Sequence, residues 1–258
     1  MGINIALVSK SEEKLYGVLQ EIKELCGNSV EYKAFPINFT RGVEVYPELQ
    51  KELEDLDIGI LINNEKLISQ PNFEYFIELS NSKNHFIEML NCNVLSVTRM
   101  TGIVLPKMLQ KGKGVIVNVG SIPSKIDSPF MALHGSTNAF VEKFTMDMAQ
   151  EYKDKGIIFQ SLTPGTIVSN TKNLEASTIL FPTSEAFVNK ALKTIGKQTQ
   201  TSRCISHQLI DNSFNFVNFV SRKRSSEAAT KSFKQLWLQG KRKFHKKLEG
   251  EKNCEKIN

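Results

Sequence analysis

A small set of residues stands out: the polar Asn63 and Asn64, Asn93, Ser121, His134 and Asn138, and the Pro164–Gly165 pair that ends a strand. His134 carries the one ring type whose intrinsic pKa suits proton transfer near neutrality. Ser121 offers a hydroxyl that can hold a carbonyl oxygen or simply cap a loop. Asn93, in an apolar helical run, can bond a helix backbone. Lys10 reads as an ordinary surface lysine after a strand. The four cysteines, Cys26, Cys92, Cys204 and Cys254, form no CxxC pair and read as reduced thiols, not as a disulfide frame or a zinc site. The only Gly-x-Gly, Gly112/Gly114, precedes a strand and reads as a turn with no nucleotide role.

The elements that must position these groups follow from periodicity. The apolar fraction of 40% in 258 residues suffices for a folded core. Short apolar runs at Ile3–Val8, Val30–Phe39 (broken at Pro36), Ile58–Ile62, Gly114–Val119 and Ile157–Leu162 read as strands. Between them, helical spacing appears from Leu15 to Leu25, near Leu49–Leu53, from about Lys83 to Met108, from about Ala132 to Tyr152, and over Ser184–Ile195. The inner side of the longest helix is assigned to Phe86, Leu90, Val97, Met100, Val104 and Leu105. Strands alternating with helices predict an α/β fold, a doubly wound parallel sheet covered on both faces. In such sheets a ligand lies beyond the carboxyl ends of the strands, where Asn63-Asn64, Gly120-Ser121 and Pro164-Gly165 fall.

Those strand-end signals, in that order, with Asn93 in Asn91-Cys92-Asn93-Val94-Leu95-Ser96-Val97, resemble the short-chain dehydrogenases/reductases. Three further segments, Asp57–Asn64, Met100–Pro106 and Glu151–Gly156, are similar to the 17β-hydroxysteroid dehydrogenases of the type 3 and type 12 group, which includes the very-long-chain 3-oxoacyl-CoA reductases. The resemblance covers about Ile3 to His207.

The resemblance implies NADP(H) as cofactor and a Ser, Tyr, Lys catalytic set. The tyrosine hydroxyl delivers a proton, and the lysine lowers its pKa and grips the nicotinamide ribose. Ser121 matches the serine, but the tyrosine and lysine positions hold His134 and Asn138. Asn93 matches the proton-relay asparagine. Cofactor contacts are implied for Lys10 (the 2′-phosphate), Asn38 (adenine), Asn63, Asn64, Pro164, Gly165, Ile167 and Ser169 (the carboxamide). Lys66 stands where the family's Asn-Asn-x-Gly has its glycine, at the point of close approach to the ribose. The Ile3–Val8 strand corresponds to the family's second, so the fold expected is Rossmann-like and lacks its first βα unit with the glycine-rich turn. That leaves two unpaired strand edges, which the sheet must close, another segment must fill, or the domain must bear as instability.

Charge divides the chain into a domain over 1–207 and an extension over 208–258. From Ser221 onward there are twelve Lys/Arg and four Glu, while the preceding 220 residues carry 21 Lys/Arg and 23 Asp/Glu. The basic tail reads as a solvated helix or as a contact for an anionic membrane or acidic partner; no nucleic-acid partner is expected. No apolar run reaches the roughly 18 residues of a membrane span. The functional expectation is a non-catalytic relative of NADPH-dependent 17β-hydroxysteroid and 3-oxoacyl-CoA reductases. The alternatives are a working reductase of a ketosteroid or 3-oxoacyl lipid, and a binding scaffold. A lipid or steroid ligand, a homodimer through the long helices, and residence at the cytosolic face of the endoplasmic reticulum (cytoplasmic without an anchor) are implied by the resemblance.

Overall fold

The computed structural model describes residues 2–68, 75–79, 84–165, 182–201, 223, 226–235 and 237–238. Strand β1 (Ile5–Ser9) leads into α1 (Glu12–Cys26), whose start is set by Ser11: its hydroxyl accepts from Lys14 N, and Glu12 and Glu13 occupy the first turn, where acids suit the helix dipole. Gly27, at φ 60°, ends it. Then come β2 (Tyr32–Pro36), α2 (Tyr46–Glu54), β3 (Ile60–Asn63), the short α3 (Phe76–Leu79) and α4 (His85–Leu90). A π-turn over Asn91–Leu95 joins α4 to α5 (Ser96–Lys111), followed by β4 (Gly114–Val119), α6 (Ala132–Glu151), β5 (Ile157–Leu162), α7 (Ser184–Leu192) and β6 (Gln200–Thr201).

All strand pairs are parallel, but they form two sheets: β1–β2, and β3–β4–β5–β6. Among the described residues no backbone hydrogen bond joins β1 to β3, so the sheet does not close over the place of the expected missing strand. Side chains join the two parts instead. Phe35, Phe39, Tyr46, Leu49, Leu53, Cys92 and Met100 form one buried cluster, with Val8 from one sheet and Leu61 from the other packed against it. Register shows what stays uncovered. Ile60 and Ile62 pair with Val115 and Val117, so all four point to one face. Over β4 that face packs under Phe187 and Ala191 of α7. Over β3 it is bare: Ile60 and Ile62 are 46% and 56% exposed.

Expectation and structure agree on the α/β alternation and the parallel sheet. The long helix predicted from Lys83 is α4, π-turn and α5 in sequence, with Val97, Met100, Val104 and Leu105 buried as assigned; Leu90 is exposed, because it precedes the turn that resets the helical phase. The short β6 and the 3₁₀ stretch Phe39–Val45 are additions with too little periodicity to announce themselves. At the end of the described chain the tail helix is not simply solvated: Ala229 is buried, and Trp237 stacks on Phe130 at 5.5 Å and meets Tyr75 edge-on at 5.6 Å.

Candidate functional site

The carboxyl ends of β3, β4 and β5 bring most of the singled-out residues together. Asn63 donates to Asn118 Oδ1 (2.8 Å), Asn118 donates to Thr145 Oγ1 (2.9 Å), and Thr145 donates to the Val141 carbonyl (2.6 Å). This buried ladder ties β3, β4 and α6 into one floor, with Asn118 and Thr145 wholly inaccessible. Asn118 interrupts the apolar strand Val115–Val119, a polar break in an otherwise buried run that the sequence displays. Thr145, one of several polar residues along α6, gives no such signal.

Asn93 lies in the π-turn, 1% exposed. A π-turn offsets the helix by one residue and redirects a side chain, a device common at functional sites. Asn93 does not bond its own helix: its Oδ1 accepts from Leu67 N at 2.8 Å, and its Nδ2 donates to the Leu67 carbonyl at 2.9 Å and to Thr137 Oγ1 at 3.3 Å. It therefore fastens the segment after β3 against α6.

That segment fills the centre of the site. Lys66 reaches across to donate from Nζ to Asn138 Oδ1. Burial pulls the Lys66 pKa down to about 8, because the charged form is the one that loses water; the Cys92 thiol partly opposes this. Cys92 is itself pushed up to about 11 by burial and by the Glu65 carboxylate. Glu65 turns to the end of β1. Burial raises its pKa, against the lowering pull of the Ser9 hydroxyl and of the Lys10 amide and charge, and its Oε2 has no hydrogen-bond partner.

His134 is 5% exposed and Asn138 fully buried, one turn apart on α6. Asn138 Nδ2 donates to the His134 carbonyl at 2.7 Å, and lies 3.3 Å from ring Nε2 and 3.5 Å from Nδ1. Being nearly equidistant from both nitrogens, it is not in line with the lone pair of either. Ser121 is half-buried in extended backbone at the end of β4; its hydroxyl makes no cap bond, while its carbonyl accepts from Ser124 N at 3.0 Å. Pro164 is buried and its carbonyl accepts from Ile122 N at 3.1 Å, so Pro164 and Gly165 stand beside the Ser121 segment.

The remaining implied contacts are dispersed. Asn64 is exposed, as is Lys10. Asn38 has its side-chain oxygen committed to the Thr40 amide (3.2 Å) and hydroxyl (2.8 Å), capping the next turn. Ile167 and Ser169 lie outside the described residues. Sequence reasoning missed the aromatic group beside the site. Phe130, on the connection from Ser121 to His134, has φ 67°, a region that costs a bulky residue about 1–3 kcal/mol. It is held between Tyr75, edge-on at 5.0 Å, and Trp237.

Comparison with known proteins gives consistent results. The family model for short chain dehydrogenase matches residues 1–179. A very-long-chain 3-oxoacyl-CoA reductase of Anas platyrhynchos is 38% identical over 206 residues, covering 80% of this chain and 65% of the relative. The Homo sapiens protein of the same name is 34% identical over 209 residues, covering 81% of this chain and 66% of the relative. The chain thus spans about two thirds of the length of these curated relatives. Among solved structures, one described for 7β-hydroxysteroid dehydrogenase stereoselectivity superposes with a TM-score of 0.77 at 21% identity, over 89% of this chain and 88% of that one. A short-chain dehydrogenase from Sphingobium yanoikuyae in complex with NADPH gives 0.67 at 20% identity, over 85% and 86%. These two likenesses establish the fold alone. Among the described residues no helix is long and apolar enough to cross a membrane.

Proposed function

Because this chain belongs to the short-chain dehydrogenase family, we propose that it is a relative of the NADPH-dependent 17β-hydroxysteroid and 3-oxoacyl-CoA reductases that does not itself transfer hydride. One observation carries this reading: the tyrosine and lysine positions are filled by His134 and Asn138, and Asn138 is tied to the His134 carbonyl and to Lys66. Asparagine supplies neither a charge nor a donor long enough to grip a ribose.

The described residues also fit NADP(H) poorly. Lys66 spans the two positions that family resemblance places on either side of the nicotinamide ribose. Glu65 puts a buried carboxyl at the end of β1, beside the region where a pyrophosphate would need backbone amides and positive charge. A carbonyl-bearing lipid or steroid remains the ligand class this reading favours, with the endoplasmic reticulum as expected residence, a homodimer through the long helices, and the basic tail as a membrane contact.

A second reading, a working NADPH-dependent reductase, is favoured by the 38% identity to a named 3-oxoacyl-CoA reductase. One experiment separates the two: NADPH consumption followed at high protein concentration with a 3-oxoacyl-CoA or a ketosteroid. The expected result is no rate above the protein-free control. Saturable consumption that disappears in His134→Ala would overturn the first reading and establish the second.

A further inference from the structure

At the opposite end of the sheet from the Asn63–Asn118 ladder, α2 and α5 frame a groove of about 470 Å³. It lies toward the amino ends of the strands, since Ile58 leads into β3 and the last turns of α5 lead into β4. Its size falls within the range of small-molecule sites, roughly 300–1,000 Å³. The floor is apolar: Leu53 and Leu56 come from α2 and the turn after it, Ile58 from the approach to β3, and Ile103 and Pro106 from α5. The groove is open at Gly102. A Cβ there would meet no neighbouring side chain or facing backbone within 4 Å, so nothing of the protein stands over the middle of that floor.

Two cations of α5, Arg99 and Lys107, line the same groove about two helical turns apart. The Arg99 guanidinium lies 5.3 Å from the centre of the buried Tyr46 ring, which fixes its place. Among the described residues it has no carboxylate partner and no hydrogen-bond acceptor. Its planar fork of N–H donors, of the kind that matches a carboxylate, is therefore held in position and unused. Lys107 donates from Nζ to the Glu54 carbonyl and so ties α5 to the end of α2. Glu54 carries the one carboxylate that lines the groove, against the two cations.

We propose that this groove binds an amphipathic anion, a medium-chain fatty carboxylate, with its chain on the apolar floor between Leu53 and Pro106 and its head group on Arg99. The floor alone would suit any hydrophobic ligand. The ring-stacked guanidinium at its edge selects one that carries a carboxylate, because an uncharged head would leave that donor set unpaired. The groove shares no residue with the cluster around Lys66, Asn138 and His134, and its occupancy does not depend on whether that cluster reduces a carbonyl.

The test is calorimetric titration of the full chain with decanoate below its micellar concentration, with decanol as the uncharged control. Decanoate is expected to bind with a Kd at or below about 100 μM. Arg99→Gln is expected to weaken decanoate by about tenfold or more, the loss of a charge-assisted hydrogen bond, and to leave decanol within about twofold. Gly102→Leu fills the groove from a position with room for a side chain, and leucine is a better helix former than glycine. It is expected to abolish binding of both molecules while the melting temperature holds or rises. The proposal is overturned if the wild type binds no decanoate, or if Arg99→Gln leaves decanoate unaffected or weakens both molecules equally. It is overturned too if Gly102→Leu still binds decanoate, which would place the ligand elsewhere, at the strand ends for example. A dimer seen in sedimentation that Gly102→Leu dissociates and decanoate does not would also overturn it, since a second copy would then cover the groove. NADPH turnover by the wild type would sink the non-catalytic reading and leave these titrations unchanged, so the two can fail separately.

Discussion

At the scale of single residues, the polar groups of the site are strongly committed to one another, and that makes them sensitive. Asn118→Ala removes two hydrogen bonds and leaves the Asn63 amide without its acceptor, while the Thr145 hydroxyl keeps its bond to the Val141 carbonyl; an unpaired group costs about 1–3 kcal/mol, so a loss of about 2 kcal/mol is expected in urea unfolding. Lys66 gives a prediction of opposite sign. Its folded pKa of about 8 lies below the ordinary value of 10.5. Below about pH 8 the amine is charged in both states, and the folded state bears the full cost of burying it. Between about 8 and 10.5 the unfolded chain binds the extra proton, so this site makes stability rise with pH across that window. Lys66→Met also leaves the buried Asn138 Oδ1 without its donor, a cost that does not vary with pH, so the stability of the variant relative to the wild type should fall by about 2 kcal/mol between pH 7 and pH 10.5, allowing for partial exposure. An unchanged difference across that range would count against the burial of a charged Lys66. The sequence showed most of these residues at the right strand ends, because strand termini and motif spacing are local properties. It could not show that Lys66 reaches Asn138, since residues 72 apart meet only through the packing of β3 against α6.

At the scale of elements, helices and strands were legible wherever apolar periodicity was long, and boundaries fell where a capping residue marked them, as at Ser11 and Thr183. The π-turn was not legible, because one extra residue in a continuous helical run leaves helical spacing on either side of it. Its function is to aim Asn93, so Asn93→Ala is expected to release the segment after β3 and to speed amide exchange at Leu67 while leaving α5 protected. The connection from α6 to β5 is tighter than its exposure suggests. Gly156 has φ 73°, and a Cβ there would run into the Gly112 backbone. Both the conformation and the space exclude a side chain, so Gly156→Ala should cost more than about 2 kcal/mol, read as a fall in melting temperature. By contrast Ile60→Thr/Ile62→Thr, on the bare face of β3, should change stability by less than about 1 kcal/mol and reduce binding of a hydrophobic dye.

At the scale of the whole molecule, the doubly wound plan was readable from the alternation of elements, while the division into two sheets was not among the outcomes expected from the sequence, which were closure of the sheet, filling by another segment, or an unstable domain. Only the packing of Val8 and Phe35 with Leu61 and Met100 decides it, since that cluster holds the parts together without backbone pairing. The same division has a consequence for how the molecule comes apart. A continuous ladder couples every strand to its neighbour, whereas here β1 and β2 can loosen while β4 and β5 keep their hydrogen bonds. Native-state exchange should therefore resolve two protection levels: amides of Ile5–Ser9 and Tyr32–Pro36 opening through a sub-global event, and those of Gly114–Val119 and Ile157–Leu162 only with full unfolding. The chain would then behave as two cooperative units sharing one core, with the Asn64–Leu67 segment lying at the seam between them.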